Sequence, residues 1–150
     1  MAAVPITMKP NFEGTVKFIL EHYPTAHEWN QLLFYKWIQW CLGEGFLATV
    51  LDDNDEIVGL GIAHPIMKGQ HEDSLDQEGD TIFCDLGIAL SYEAFQMLIF
   101  AMIERFGARK YIAWREAAHG FRHKVHSFPQ FRRNVLRMKK HQLAEIMGGN

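Results

Sequence analysis

The residues best suited to chemistry in this chain are histidines that can meet a carboxylate. His64 ends one apolar, strand-like run, directly before Pro65, and Asp85 interrupts another. If the two runs pair antiparallel, imidazole and carboxylate come together, and a carboxylate that orients an imidazole makes a usable base near neutral pH. Each residue also has a plainer reading: His64 as a strand end before a proline, and Asp85 as a salt-bridged sheet carboxylate. His119, His123 and His126 are spaced by four and three, which on a helix would gather imidazoles for zinc. Gly120, and the alternation of Phe121, His123 and Val125 with Arg122, Lys124 and His126, point instead to a strand. No His-Glu-x-x-His or paired Cys accompanies them, so no metal is expected. Ser74, Ser91 and Ser127 lack the Gly-x-Ser-x-Gly frame of an activated serine. Gly43-x-Gly45 and Gly59-x-Gly61 lack the third glycine and helix start of a nucleotide loop.

The elements that must position these groups centre on residues 80–115. Ile82, Cys84, Leu86 and Ile88 alternate with Thr81, Phe83, Asp85 and Gly87, the period of a strand. Ser91 can cap a helix, with Glu93 favoured in its first turn. Phe95, Leu98, Ile99, Met102, Ile103 and Phe106 then recur at helical spacing, a stripe that must lie on a sheet. Gly107 stops the helix, and residues 110–114 are rich in β formers. Strand, crossover helix and strand make a right-handed βαβ unit, and ligands tend to sit where such strands end. Leu86 to Tyr92 should therefore border any pocket.

Upstream, Phe12, Val16, Ile19 and Leu20 form a helical stripe stopping near Pro24. Thr25 with Glu28 has the pattern of a capping box for a second, aromatic helix that carries Trp29, Trp37 and Trp40 and ends at Gly43 or Gly45. Residues 46–51 and 56–63 read as a hairpin about an Asp-rich turn, and 67–79 as an exposed polar loop. After a weak strand ending at Pro129, Phe131 to Met147 reads as a basic helix.

One hundred and fifty residues, 48% hydrophobic, suit one globular domain over 1–150. No apolar run reaches a membrane span and no secretory leader is visible, so a cytoplasmic protein without membrane association is expected. Cys41 and Cys84 read as buried small hydrophobes, not a disulfide. The net charge of −3 conceals a division. Residues 1–104 hold four Lys or Arg against sixteen Asp or Glu, giving −12; residues 105–150 hold eleven against two, giving +9. The basic end, with a helix or tail over 129–150, either faces an anionic partner such as nucleic acid or packs beside the acidic part of its own domain. The aromatic second helix leaves a homo-oligomer open.

In its element order the chain resembles the GNAT superfamily of N-acetyltransferases, over about Phe12 to Phe128. The hairpin with its Asp-Asn turn and Ile57-Val-Gly59 looks like that family's second and third strands, Thr81 to Ile88 like the fourth, and Arg109 to Arg115 like the fifth. Trp114-Arg115 and the basic tail are closer still to short GNAT-like proteins of phages and prophages, which would make the chain virion-associated if it is phage-derived. The resemblance implies an α+β fold with a central mixed, mostly antiparallel sheet flanked by helices on both faces. It implies acetyl-CoA as acyl donor, a pantetheine arm along Leu86, Gly87 and Ile88 where the fourth and fifth strands splay, and a pyrophosphate near Ser91 and Tyr92. The family's glycine-rich phosphate loop is replaced here by Ala89-Leu-Ser91-Tyr92, and no Tyr follows Tyr111 to serve as the acid. Asp85 and His64 are the residues left for a base. Two functions follow: an acyl-CoA-dependent N-acyltransferase acting on an amine acceptor, or an inactive GNAT-like module that binds through its basic end.

Overall fold

The computed structural model describes residues 6–7, 11–107, 109–116 and 122–137. It is an α+β fold built on one six-stranded open sheet whose strands lie side by side in chain order. The strands are β1 (Ile6–Thr7), β2 (Leu47–Leu51), β3 (Ile57–Ile66), β4 (Thr81–Ala89), β5 (Tyr111–Glu116) and β6 (Arg122–Ser127). Only β4 and β5 run parallel, because the helix between them carries the chain back across the sheet. The other four pairings are antiparallel.

Glycines decide which face the crossover helix α3 (Tyr92–Phe106) covers. A Cβ on Gly59 would meet Ala94 Cβ at 3.3 Å and Leu98 at 3.5 Å, and one on Gly61 would meet Leu98 at 3.5 Å. The missing side chains let α3 lie close against β3. Ser91 caps this helix by accepting from Ala94 N at 3.1 Å, and Gly107 ends it at φ 78°, as its sequence predicts. On the opposite face Leu47, Leu60 and Ile62 join Phe18 and Ile19 of α1 (Phe12–His22) and Phe34 and Ile38 of α2 (Gln31–Glu44) in one core. Helices therefore cover both faces. The aromatic stripe of α2 is only partly core: Phe34, Ile38 and Cys41 are buried, whereas Leu32, Leu33, Tyr35 and Trp40 are exposed.

Three boundaries differ from the sequence reading. Thr25 is not a helix cap: Pro24, with its fixed φ, opens a short 3-10 turn over Pro24–Glu28, and α2 begins later behind Asn30, whose side chain accepts from Leu33 N. Strand β3 runs through Pro65 to Ile66 instead of stopping at Ala63, held by its pairing with β4. The last helix, α4 (Phe128–Arg137), starts three residues early, and Phe128 and Phe131 are buried in the core, with Phe131 against Trp114. The start of the basic segment is thus part of the domain. The expected helix beyond Arg137, and His119, lie outside the described residues.

Thr49 is wholly buried on the α1/α2 face, and its hydroxyl has no hydrogen-bond partner among the described residues. An unpaired buried hydroxyl costs stability that a methyl would not. Thr49→Val is therefore expected to raise the unfolding free energy by about 1 kcal/mol in a urea titration. Gly59→Val, which forces two methyls against α3, should lower it by about 1–3 kcal/mol. A less stable Thr49→Val protein would contradict the first assignment.

Candidate active site

Strands β3 and β4 do not match residue for residue. Ile62 pairs with Leu86, but Ala63 pairs with Cys84, which leaves Asp85 as an extra residue on β4. Such a bulge bends its strand and re-aims a side chain. Here it brings Asp85 Oδ2 to 2.6 Å from His64 Nδ1, a short charge-assisted contact. The two residues that sequence spacing singled out are therefore in direct contact, with His64 only 6% exposed between Phe46 and Phe83.

Burial alone pulls the His64 imidazole down, but Asp85's hydrogen bond and charge, with the Glu72 and Ser74 carbonyls, carry it above its ordinary 6.5. Nδ1 is committed to Asp85, and a carboxylate held on that nitrogen favours the charged ring. Burial also lifts the Asp85 carboxyl above its ordinary 3.8, against the pull of His64 and Arg115. The pair is best described as an imidazolium on a carboxylate.

Arg115, at the end of β5, completes the cluster. One of its terminal nitrogens donates to the Asp85 backbone oxygen at 3.0 Å, and its Nε lies 3.1 Å from Glu72 Oε2. Glu72 belongs to the loop over residues 67–80. That loop is pinned at its ends: Lys68 N donates to Asp80 Oδ1 at 2.8 Å, Asp76 N to the Pro65 oxygen at 3.0 Å, and Arg109 to the oxygens of Gln77 and Gly79. Gly79 has no room for a side chain, since a Cβ would run into the Ile66 carbonyl. Arg115 and Glu72 escaped the sequence reading for plain reasons. Glu72 looks like any acid of its loop, and Arg115 looks like a solvated strand end. The pair is partly exposed, and such pairs contribute roughly 0–1 kcal/mol.

Strand β4 outruns its parallel neighbour. Its last rung with β5 joins Cys84 to Trp114, yet β4 continues to Ala89. Leu90 N donates to the Val58 oxygen at 2.9 Å, in register with the Gly59–Ala89 pairing. Hydrogen bonding alternates along an antiparallel strand, so Leu86 and Ile88 spend their backbone groups on β3. Gly87 and Ala89 turn theirs toward the side that β5 has left. Of the three residues expected to line this wedge, Gly87 faces it, whereas Leu86 and Ile88 have buried side chains in the core. Ser91 serves as the α3 cap, and Tyr92, half-buried, packs on the core.

Cys84 sits next to the site but is no nucleophile. Burial, then Asp85, push its thiol up to about 12, and Cys41 is likewise raised to about 12. Both are free thiols. Among the described residues no group of three or more His, Cys, Asp or Glu could hold a metal, and no helix is long and apolar enough to cross a membrane. An open groove of about 680 Å³ between α1 and α2, lined by Phe12, Val16, Leu20 and Tyr35, shares no residue with the cluster. The chain matches no family model and no curated protein.

The His64 shift has a sign that can be measured. A raised pKa stabilises the fold fully below the unfolded value near 6.5, and that stability is lost as pH rises through the higher folded value. Unfolding free energy should therefore fall on going upward from about pH 6.5, and His64→Gln should flatten the slope. A stability that climbs over that range would overturn the imidazolium assignment. Neither cysteine should react with a thiol reagent at pH 8 until the protein is unfolded.

Proposed function

We propose that this chain is a GNAT-like N-acyltransferase that draws its acyl group from an acyl-CoA such as acetyl-CoA. One observation carries the reading: β4 runs from Asp85 to Ala89 without β5 beside it, straight into the capped start of α3. A pantetheine arm laid along Gly87 and Ala89 would pair its amides with an open strand edge, as an added strand does. The pyrophosphate would then meet the first turn of α3, where the helix dipole favours an anion. The Ala89–Tyr92 turn adds neither Arg nor Lys, so backbone groups supply the attraction.

The thioester end of that arm would reach the closed end of the wedge, beside Asp85. The amine nitrogen attacks the thioester carbonyl, a C–N bond forms, and the C–S bond breaks as the tetrahedral intermediate collapses. His64, held by Asp85, takes the proton from the amine and returns it to the departing thiolate, since no Tyr follows Tyr111 to do so. For this the carbonyls of Glu72 and Ser74 must draw back from the ring. Because the imidazole begins protonated, activity should rise with pH through its folded pKa.

Thermal unfolding in acetyl-CoA tests the reading. A ligand that binds only the folded state, at a hundred times its dissociation constant, adds about 2.7 kcal/mol. His64→Gln should keep this shift while lowering turnover by about 10²–10⁴. No shift at millimolar acetyl-CoA would remove the acyltransferase.

A second reading, a GNAT-like module without catalysis, draws on two observations. Arg115 already bridges the closed end of the wedge, and the sheet ends on the basic strand β6, beside exposed Lys124, Arg132 and Arg133. A nucleic acid on that face would be released by salt. Truncation is a poor test because Phe131 is core. Charge reversal with Arg132→Glu and Arg133→Glu should abolish retention of labelled DNA in this reading, and unchanged retention would end it.

A further inference from the structure

Glu72 acts on both basic groups of the site. Its carboxylate lies on Arg115 Nε at 3.1 Å, and its backbone carbonyl is among the groups that raise the His64 pKa. The cations are close neighbours, because both meet Asp85: Arg115 at its backbone oxygen, 3.0 Å away, and His64 at its Oδ2, 2.6 Å away. Guanidinium and imidazole are therefore linked through both Asp85 and Glu72. A guanidinium at a strand end, oriented by one fixed bond, is well suited to take a carboxylate.

The pair is open to competition from the Arg115 side. The Glu72 oxygen on Nε is itself buried, but the Arg115 side chain is 43% exposed, so a dissolved carboxylate can reach it from its open side. Glu72 sits mid-loop between ends secured elsewhere, by Lys68 on Asp80 before it and by Asp76 on Pro65 and Arg109 on Gln77 and Gly79 after it. The middle of the loop can lift while those ends hold. Exchange of the Glu72 carboxylate for an external one leaves the charge of the cluster unchanged, and it frees the His64 ring from the loop carbonyls that act on it.

The geometry points to Arg115 as the recognition site for a carboxylate carried by the amine acceptor, with Glu72 holding that place until the acceptor displaces it. The acceptor class is a small amino acid, or another amine whose carboxylate lies a few bonds from its nitrogen. Its identity as an acyl acceptor rests on the acyltransferase reading; the carboxylate site does not.

Calorimetric titration of the full chain with L-glutamate tests this, with putrescine as an amine lacking the carboxylate. Glu72→Gln removes the internal competitor from an exposed loop and should bind L-glutamate at least tenfold tighter than the wild type. Arg115→Gln should lose that binding, and putrescine should not bind measurably. If Arg115→Gln fails to fold by circular dichroism, Arg115→Lys, which keeps the charge but not the fork, should weaken binding at least tenfold in the Glu72→Gln background. Glu72→Gln binding no tighter than wild type, equal binding of putrescine, or full affinity in Arg115→Lys would each overturn the inference. Acetyl-CoA is titrated separately. A missing acetyl-CoA shift with L-glutamate binding intact would remove the acyltransferase and leave the carboxylate site standing, whereas the reverse would remove only the site.

Discussion

The hydrogen bond between His64 and Asp85 exists because β4 carries one residue more than β3 has partners for. Beyond the bulge, β4 returns to ladder bonding with β3 through Leu86, Ile88 and Leu90, and Gly87 and Ala89 are left to face away from it. The same residue whose side chain holds the imidazole offers its backbone oxygen to Arg115, at the height where β5 parts from β4. Buried pair, bridging arginine and open strand edge thus share one origin.

Burying charge is costly unless every charge has partners. The cluster meets that demand with two cations, His64 and Arg115, and two carboxylates, Asp85 and Glu72, supplemented by loop carbonyls. The arrangement ties the loop over residues 67–80 to the protonation of one ring. A ligand that competes for Arg115 therefore acts on the loop as well.

Much of the frame was legible in the chain itself. The strand around Asp85, the Ser91 cap, the stripe on α3 and the Gly107 stop appear where their patterns place them, since each depends on local geometry, but the strict alternation expected along that strand is broken by the bulge at Asp85. Element order was enough to bring His64 toward Asp85, because adjacent antiparallel strands leave few pairings to choose from. Thr25 misled because its spacing to Glu28 fits a cap, while Pro24 imposes a tighter turn that postpones the helix to Asn30. The basic end misled in another way: charge dominates residues 129–150, yet Phe131 packs on Trp114.

Residue types and their periods were enough for the α+β class and for singling out an imidazole and a carboxylate on neighbouring strands, because these follow from propensity, alternation and element order. Only the folded chain decided that Asp85 is a bulge, that Gly87 and not Leu86 or Ile88 faces the wedge, and that Glu72 lies on Arg115. Strand register and long-range ion pairs depend on how distant segments share space, and a one-residue slip reverses every backbone and side-chain direction that follows.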